Sequence, residues 1–328
     1  MIRGRVMSHF SFSTFCNWIK FRHLYLLDSL GRTKNMHLTA QQMNLSQPAV
    51  SKMLKEIEGL LGFEVFDRLP RSMVPTTLGE RVIRYAHMTL NDANGFVEQI
   101  TSLHKGGHGY LKVGGIFAAT SAVLPEAIME IKKRSPLLNV EVVEQTSGNL
   151  MKMLEEKTLD LAIGRFSEQG QQQNFDFTPL APEKFCLVAN SSHPLSGEET
   201  VSLEKLFEWP WLLYPKGTPI RDRMEESFAK AGVALPQDIV VTISVQTFLE
   251  LLQRGPMIGM LPTVMVKPHV ESGVLTVLKT PLDLVPQYYG ILTRKNEALV
   301  GPALEFANIL QHNAQQILAA EKQPIDIV

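Results

Sequence analysis

The chain has two cysteines, Cys16 and Cys186, among 328 residues. They lie far apart along the sequence, which excludes a disulfide framework and indicates a reducing compartment. Cys186 falls in the apolar run FCLVA, a setting typical of a buried thiol. Long apolar runs are also missing, and no stretch approaches the roughly 20 consecutive apolar residues that span a membrane.

The N-terminal residues are basic but lack the features of a signal peptide. MIRGRVMSHFSFSTFCNWIKF has no continuous apolar segment and no small-residue cleavage site. We therefore assign residues 1–20 to an N-terminal extension and expect a cytoplasmic protein. The extension is either a disordered arm or partly untranslated, with Met7 as the true start.

Recognisable catalytic and metal-binding patterns are absent from the sequence. The nine histidines form no ligand spacing, and His104 and His108 are separated by Gly106 and Gly107, which break a helix. No HExxH motif, phosphate loop or nucleophile elbow occurs. We expect neither an enzyme nor a bound metal or cofactor.

Charge is nearly balanced overall but unevenly distributed. The formal net charge is −1, which by itself does not indicate a nucleic-acid partner. The first 106 residues carry 13 Lys and Arg against 8 Asp and Glu, whereas the remainder carries 19 against 25. The length suggests two or three folding units, and the positive one favours DNA contact.

Residues 38–80 predict a helix, a tight turn, a second helix and a basic hairpin. Thr39 is expected to cap the first helix and Asn44 to end it. Ser46 is expected to cap the second helix, with Pro48 in its first turn, where a missing N–H costs nothing. This order of elements places one helix in a DNA groove.

The second predicted helix is amphipathic. Gln47, Ser51 and Lys55 recur every four residues near its N-terminus, the end that helix-turn-helix proteins present to base edges. Pro48 lies at the same end, and Lys52 is better placed for phosphate. A lone helix of this kind would favour a merely solvated face, but the neighbouring elements favour DNA binding. The expected buried face comprises Val50, Met53, Leu54, Ile57, Leu60 and Leu61.

A wing is predicted after this helix. Gly62 ends the helix, and the alternation at 63–66 indicates a short strand. The segment 67–75 turns back, with Arg68 and Arg71 expected at its tip. Contacts there to phosphate or the minor groove supply affinity rather than sequence choice.

With these motifs the chain resembles the LysR-type transcriptional regulators from about Phe21 onward, and its wing, PRSMVPTTLGE, resembles that of the galactose-binding-protein regulators. The resemblance implies an all-α winged helix-turn-helix, a long linker helix, and an α/β effector domain of two lobes like a periplasmic binding protein. The matching residues are Leu45, Ser46, Gln47, Pro48, Ala49, Val50, Ser51, Leu54, Ile57, Glu58, Leu61, Gly62, Phe66, Arg68, Thr76, Gly79 and Glu80.

Residues 78–105 predict one long linker helix with a heptad seam. Such a seam favours a contact between two copies of the chain, as a homodimer or homotetramer. Packing of the helix onto its own domain is the alternative. The seam comprises Val82, Ala86, Thr89, Ala93, Phe96, Ile100 and Leu103.

From Tyr110 onward, short strands alternate with helices, a pattern that favours parallel α/β sheets. We assign residues 21–77 to the DNA-binding domain, 78–105 to the linker, 106–109 to a hinge and 110–328 to the effector domain. Its lobe I is expected at 110–182 and 266–328, and its lobe II at 183–265.

Predicted strand-to-helix junctions in this domain carry hydroxyl and amide groups, which suit an anion or a sugar-like effector. Helix capping is the alternative for each hydroxyl, and a salt bridge to Asp222 or Glu225 is the alternative for the arginine. The turn 254–262 departs from the family's glycine-rich pattern at Pro256 and Met257. The resemblance favours effector contact, because it implies effector-binding residues at the junctions that match Thr120, Ser121, Thr218 and Thr247. With the nearby side chains added, the expected effector-binding residues are Thr120, Ser121, Thr218, Arg221, Gln246 and Thr247.

The sequence therefore predicts a transcription regulator that binds double-stranded promoter DNA as an oligomer and responds to a small molecule. A binding protein or enzyme with an incidental helical N-terminus is the alternative. A DNA-architectural protein is a second one, although it would not need some 200 residues of α/β sensor.

Overall fold

The computed structural model describes residues 11–69, 72–166, 170–282, 284 and 286–321. The described residues form two compact units. The first contains the residues up to Thr101 and the segment 155–158, and the second contains the others.

The first unit is a winged helix-turn-helix that continues into a long helix, as predicted. The wing is an antiparallel hairpin with register Phe66↔Pro75 to Leu69↔Ser72. Its elements are α1 (Phe12–Trp18), α2 (Phe21–Thr33), α3 (Met36–Gln42), α4 (Gln47–Leu61), β1 (Phe66–Leu69), β2 (Ser72–Pro75) and α5 (Thr77–His104).

The first helix of the helix-turn-helix begins earlier than the sequence predicts. The side chain of Asn35 accepts from the backbone N–H groups of His37 at 2.9 Å and Leu38 at 3.1 Å. Thr39 is therefore not the cap; it is buried inside α3, with its hydroxyl 2.7 Å from that of Thr33. Two polar residues compete for the cap here, and packing against α2 decides between them.

The second helix, α4, has the predicted ends. Ser46 Oγ accepts from the backbone N–H of Ala49 at 3.4 Å, and Gly62 adopts the left-handed conformation, with φ of 78°, that favours glycine. The apolar face packs into a core with α2 and the wing. The buried residues of this apolar face are Val50, Leu54, Ile57 and Leu61.

The N-terminal extension contains α1, so a disordered arm is the wrong description of residues 12–18. Ser11 caps this helix by accepting from the backbone N–H of Thr14 at 3.2 Å. The ring of Phe15 makes an edge contact with that of Tyr85 on α5, with centroids 5.6 Å apart. Met7, the alternative start, lies outside the described residues.

The second unit is an α/β domain of two lobes, as predicted. Its helices are α6 (Phe117–Ser121), α7 (Val123–Arg134), α8 (Ser147–Glu155), α9 (Leu203–Leu206), α10 (Pro219–Lys230), α11 (Val245–Arg254), α12 (Thr263–Glu271) and α13 (Gly301–Glu321). Its strands are β3 (Tyr110–Gly115), β4 (Asn139–Glu144), β5 (Leu161–Gly164), β6 (Phe175–Glu183), β7 (Phe185–Asn190), β8 (Trp211–Leu213), β9 (Ile239–Val241), β10 (Ile258–Pro262), β11 (Leu275–Leu278) and β12 (Gln287–Arg294).

Each lobe contains a five-stranded mixed sheet, so the expectation of parallel sheets is only partly correct. The order in lobe I is β4-β3-β5-β12-β6, in which β3 pairs in parallel with β4 and β5, and β12 is antiparallel to its neighbours. The order in lobe II is β11-β7-β10-β8-β9, with β7 antiparallel to β10 and β11. The antiparallel strands are those beside the lobe crossings.

The predicted lobe boundary after residue 182 is one residue early, and the one after residue 265 is wrong. Glu183 ends β6 in lobe I, and Phe185 begins β7 in lobe II, so Lys184 alone separates the two sheets. The strand β11 pairs with β7 and belongs to lobe II, which therefore extends past residue 265 to Leu278. The chain returns to lobe I at Gln287. A four-residue strand after a helix leaves too little periodicity for the sequence to reveal this.

The segment 254–262, expected as a turn, is mostly a strand. All residues of β10, from Ile258 to Pro262, are buried. Gly259 lies against the ring of Phe248, and a Cβ at this position would overlap that ring. Within the described part of the chain, no helix combines the length and apolar character required to cross a membrane.

Candidate functional site

The exposed face of α4 presents the predicted base-reading groups. Gln47, Pro48 and Lys55 are exposed, and Ser51 is half-buried. Lys52 is also exposed, and its ammonium lies 4.0 Å from Glu56 with the lysine side chain 80% exposed. Such a loose pair leaves the lysine available to a phosphate.

The wing arginines differ from the expectation that both lie at the tip. Arg68 lies within β1, opposite Met73, and its Nη2 donates to Glu58 Oε2 of α4 at 3.2 Å. Arg71 lies outside the described residues. Glu58 is a positioning residue that we did not predict, because its partner comes ten residues later in an element of different type.

A buried carboxylate fixes the start of the linker helix to the DNA-binding domain. Asp28 of α2 pairs with Arg32 at 2.9 Å, and its Oδ1 lies 2.8 Å from Nδ1 of His87 on α5. The half-buried side chains of Val82 and Ile83 pack on the same core. This part of α5 therefore belongs to the winged domain.

The predicted dimerisation seam is only partly available. Ala86 is buried in the core of the winged domain, and Val82 packs against that core, so the alternative of packing within one domain holds for both. Ala93 is half-buried, whereas Phe96 is 66% exposed and Ile100 is 48% exposed. The first half of α5 packs on the winged domain, whereas the large apolar residues of its second half are exposed. A heptad pattern alone does not show this difference.

A cleft of about 150 Å³ lies between the two lobes of the effector domain. Of the six predicted effector-binding residues, Thr218 lines it. Lobe I contributes Ile116, Phe117, Ala118, Glu144, Gln145, Thr146, Ser147, Arg165 and Glu183, and lobe II contributes Tyr214, Thr218, Pro219, Ile220, Ile243, Pro262 and Met265.

The other predicted hydroxyl and amide groups lie off this cleft. The hydroxyl of Thr120 donates to the Glu144 carboxylate, and that of Ser121 donates to the carbonyl of Phe117. Gln246 and Thr247 are exposed at the first turn of α11. The hydroxyl of Thr247 donates to Ser244 Oγ at 3.0 Å, at the N-cap of the same helix. Hydroxyls in a first helical turn commonly bond to nearby groups of that turn. The effector-binding role of these four residues stays a prediction.

Arg221 forms a salt bridge to Glu225, which was the alternative to effector binding. It is buried, and its Nε donates to Glu225 Oε1 at 2.6 Å, one turn along α10. Its Nη1 lies 3.5 Å from the Tyr214 carbonyl, a long contact. Arg221 therefore supports the backbone that carries Tyr214 rather than lining the cleft.

The cleft also contains a buried ion pair that no local sequence pattern predicts. Nη2 of Arg165 donates to Glu183 Oε2, and Nη1 donates to Gln287 Oε1 at 3.1 Å. The backbone N–H of Arg165 donates to Ser147 Oγ at 3.3 Å. Arg165 directly follows the buried strand LAIG, and a charged residue at the carboxyl end of such a strand is the signal that could have identified it.

Burial governs the protonation of the cleft groups. It raises the pKa of Glu183, against the opposing effect of the Arg165 guanidinium. Burial also raises the pKa of Tyr214 far above its usual range, and the nearby carboxylates of Glu183 and Glu144 raise it further. The phenol therefore stays protonated and can donate one hydrogen bond and accept another.

A winged helix-turn-helix followed by a two-lobed α/β domain, with a cleft lined by both apolar and charged residues, defines a ligand-responsive transcription regulator. Residues 104–315 match the LysR substrate binding domain, and residues 21–80 match the bacterial regulatory helix-turn-helix protein, lysR family. The chain belongs to the LysR family and is a DNA-binding transcription regulator with an effector domain.

The chain is similar to HTH-type transcriptional regulators over most of its length. The HTH-type transcriptional regulator GbpR of Azospirillum brasilense is 27% identical over 289 residues, which cover 86% of this chain and 84% of that protein. The uncharacterized HTH-type transcriptional regulator YdcI of Escherichia coli K12 is 26% identical over 282 residues, with coverages of 86% and 92%.

Solved structures confirm the fold. The LysR family regulator CbnR aligns with a TM-score of 0.65 at 19% identity, over 90% of this chain and 99% of that one. The effector-binding domain of QuiR, in complex with shikimate, aligns with a TM-score of 0.56 at 16% identity, over 64% and 99%. At these identities the likeness concerns the fold alone.

Proposed function

We propose that this regulator reads promoter DNA through Gln47, Ser51 and Lys55, as a homodimer or homotetramer, and responds to a small hydroxylated effector in the lobe cleft. The observation that carries the DNA proposal is the exposed N-terminal end of α4, held in place by the Ser46 cap and a buried opposite face. Such a face suits direct readout of base edges.

Phosphate contacts are assigned to Lys52 and Arg68. Lys52 is almost free of its helix partner. Arg68 is 42% exposed and shares its guanidinium with Glu58, so its remaining N–H groups can face the DNA backbone. Pro48 and Arg71 keep their predicted roles beside the bases and at the phosphate, respectively. The full-length CbnR structure complexed with its target DNA, with a TM-score of 0.64, supports this use of the fold.

Oligomerisation is assigned to the second half of α5. Phe96, Val97, Ile100 and Leu103 are all about half exposed or more, and they recur at three- and four-residue spacing. Contiguous apolar surface of this kind on a helix favours a partner helix, most simply that of a second copy.

The charges in the cleft favour a neutral, sugar-like effector over an anion. The cleft contains the carboxylates of Glu144 and Glu183, and its guanidinium, from Arg165, is already bound to Glu183. A ligand carboxylate at about 5 Å from Glu144 would be repelled by roughly 3 kcal/mol at an effective dielectric constant of 20. Hydroxyl groups can instead donate to these carboxylates and bond with Tyr214.

We also propose that the protein works in the cytoplasm and binds its effector without converting it. A regulator that binds promoter DNA works in the compartment that contains the DNA, and this supports the proposed location. The ion pair between Glu183 and Arg165 supports the second part, because a carboxylate held in such a pair is less available as a general base.

The DNA proposal is tested with Gln47→Ala and Lys52→Ala, on a site selected by the wild-type protein from a random library and on random DNA. Gln47→Ala should lose about 1–3 kcal/mol of discrimination. Lys52→Ala should weaken both DNAs alike and reduce the salt slope by about 1. Lys205→Ala in lobe II removes an equivalent exposed charge and serves as the control. Unchanged binding by both α4 variants would contradict the proposal.

A further inference from the structure

The two chain segments that join the lobes begin or end at paired residues. Glu183 is the last residue of β6 before the first crossing, and Gln287 is the first residue of β12 after the second. The two lie directly opposite each other in the antiparallel register of the lobe I sheet. Both connections between the lobes therefore reach lobe I at this pair.

One side chain bonds to both residues. Arg165, after β5 of lobe I, donates through Nη2 to Glu183 and through Nη1 to Gln287, the second bond being 3.1 Å long. The side chains of Arg165 and Glu183 are only 8% and 4% exposed, so solvent screening of the ion pair is weak. Its backbone is in turn tied to Ser147 at the start of α8.

The same guanidinium is incompletely satisfied and lines the effector cleft. Arg165 Nε is buried and has no hydrogen-bond partner among the described residues. A buried donor without an acceptor is unfavourable, so an arrangement that supplies an acceptor oxygen is favoured. A ligand oxygen in the cleft would therefore favour a rearrangement of the hydrogen bonds among Arg165, Glu183 and Gln287.

We propose that Arg165 is the positioning residue that couples occupancy of the cleft to the two crossing strands. A ligand oxygen that accepts from the guanidinium redistributes its bonds to Glu183 and Gln287, and this changes which lobe arrangement is preferred. A ligand shifts such an equilibrium only by its difference in affinity for the two arrangements. A guanidinium shared between the ligand and the residue pair Glu183 and Gln287 supplies that difference. The inference rests on the proposed effector cleft.

The test needs no ligand, so its failure is distinguishable from failure of the proposed function. Spin labels are placed on the full chain at exposed positions of the two lobes, Lys133→Cys and Glu208→Cys, in a Cys16→Ser background. Double electron–electron resonance then gives the distribution of distances between the lobes. The variants are Arg165→Lys, Glu183→Gln and the milder Gln287→Ala, which leaves the buried ion pair intact.

The matched control is Arg134→Gln, which removes an exposed lobe I arginine paired with Glu130. We expect Arg165→Lys and Glu183→Gln to shift or broaden the distance by about 2 Å or more. Their ligand-free affinity for the selected DNA should change by about fivefold or more. Gln287→Ala should act in the same direction more weakly, and Arg134→Gln should match wild type.

Three results would overturn the proposal. One is that Arg165→Lys, Glu183→Gln and Gln287→Ala all keep the wild-type distance distribution and the wild-type DNA affinity. Another is a lower melting temperature without any change in distance, which would make the network a purely structural one. The third is an equal shift in Arg134→Gln, which would show that the distance responds to any loss of charge. If the larger variants do not fold, Gln287→Ala alone decides in the same way.

Discussion

Arg68 of the wing and Glu58 of the recognition helix form an ion pair, with Nη2 and Oε2 3.2 Å apart. The other oxygen of the same carboxylate accepts from the backbone N–H groups of Val65 at 3.0 Å and Phe66 at 3.4 Å. Glu58 thus holds the start of the wing against α4. Together with the shared apolar core, this side chain fixes the distance between the base-reading face and the wing.

Glu58→Ala should therefore destabilise the DNA-binding domain more than Arg68→Ala does. Removing the carboxylate leaves two backbone donors without their acceptor, at a cost of about 1–3 kcal/mol. Removing the exposed arginine costs less than about 1 kcal/mol. Thermal unfolding followed by circular dichroism measures both. Equal losses of stability would mean that Glu58 acts only through its ion pair.

Local signals in the sequence determine much of the DNA-binding domain. Ser46, Pro48 and Gly62 mark both ends of α4, and the structure places them there. The start of α3 was mispredicted because Asn35 and Thr39 are equally plausible caps. Packing decides between them, since Thr39 is buried between α3 and α2. A propensity cannot report that packing.

Two glycines should respond to alanine in opposite directions. A Cβ at Gly259 would overlap the buried ring of Phe248, so Gly259→Ala should destabilise the effector domain by about 1–3 kcal/mol. Gly59 lies within α4 with open space around its Cα, and Gly59→Ala should stabilise the helix by about 0.5–1 kcal/mol. The melting temperatures of the two variants should lie on either side of the wild-type value. A lower value for Gly59→Ala would indicate that its surroundings are more crowded.

The cleft was much less predictable than the helices. Arg165 and Glu183 are 18 residues apart, and Gln287 follows Arg165 by 122. The sheet order β5-β12-β6 brings them together, and that order depends on which strands pair rather than on any local pattern. Hydroxyls near helix starts are visible in a sequence, but most bond within their own turn, and only Thr218 of those predicted lines the cleft.

Cys186 should be unreactive in the native protein. Burial raises the pKa of its thiol to about 11. A raised thiol pKa favours the protonated form, so at pH 8 only roughly one molecule in a thousand carries the reactive thiolate. Iodoacetamide should label the exposed Cys16 at pH 8 and reach Cys186 only after denaturation, as peptide mass spectrometry would show. Rapid native labelling of Cys186 would contradict this prediction.

A charge among the exposed apolar residues in the second half of α5 should prevent self-association. Ile100→Asp would place a carboxylate in a helix-helix contact, and burial of an unpaired charge costs several kcal/mol. Light scattering after size exclusion should show a smaller species than wild type. Gly95→Asp adds the same charge at an exposed position on another side of the helix and should leave the mass unchanged. An unaltered mass for Ile100→Asp would place the self-contact elsewhere.

Tyr214→Phe should weaken effector binding without weakening the fold. The ring of Tyr214 stacks on Phe248 at 5.4 Å, and phenylalanine keeps this contact while losing a hydroxyl group from a residue that lines the cleft. Neutral monosaccharides should raise the wild-type melting temperature more than the matching uronic acids do, because Glu144 repels a second carboxylate. That rise should shrink in Tyr214→Phe and persist in Tyr288→Phe, which changes an exposed tyrosine that does not line the cleft. A larger rise with the uronic acids would show that the ligand's charge, rather than its hydroxyl groups, determines binding.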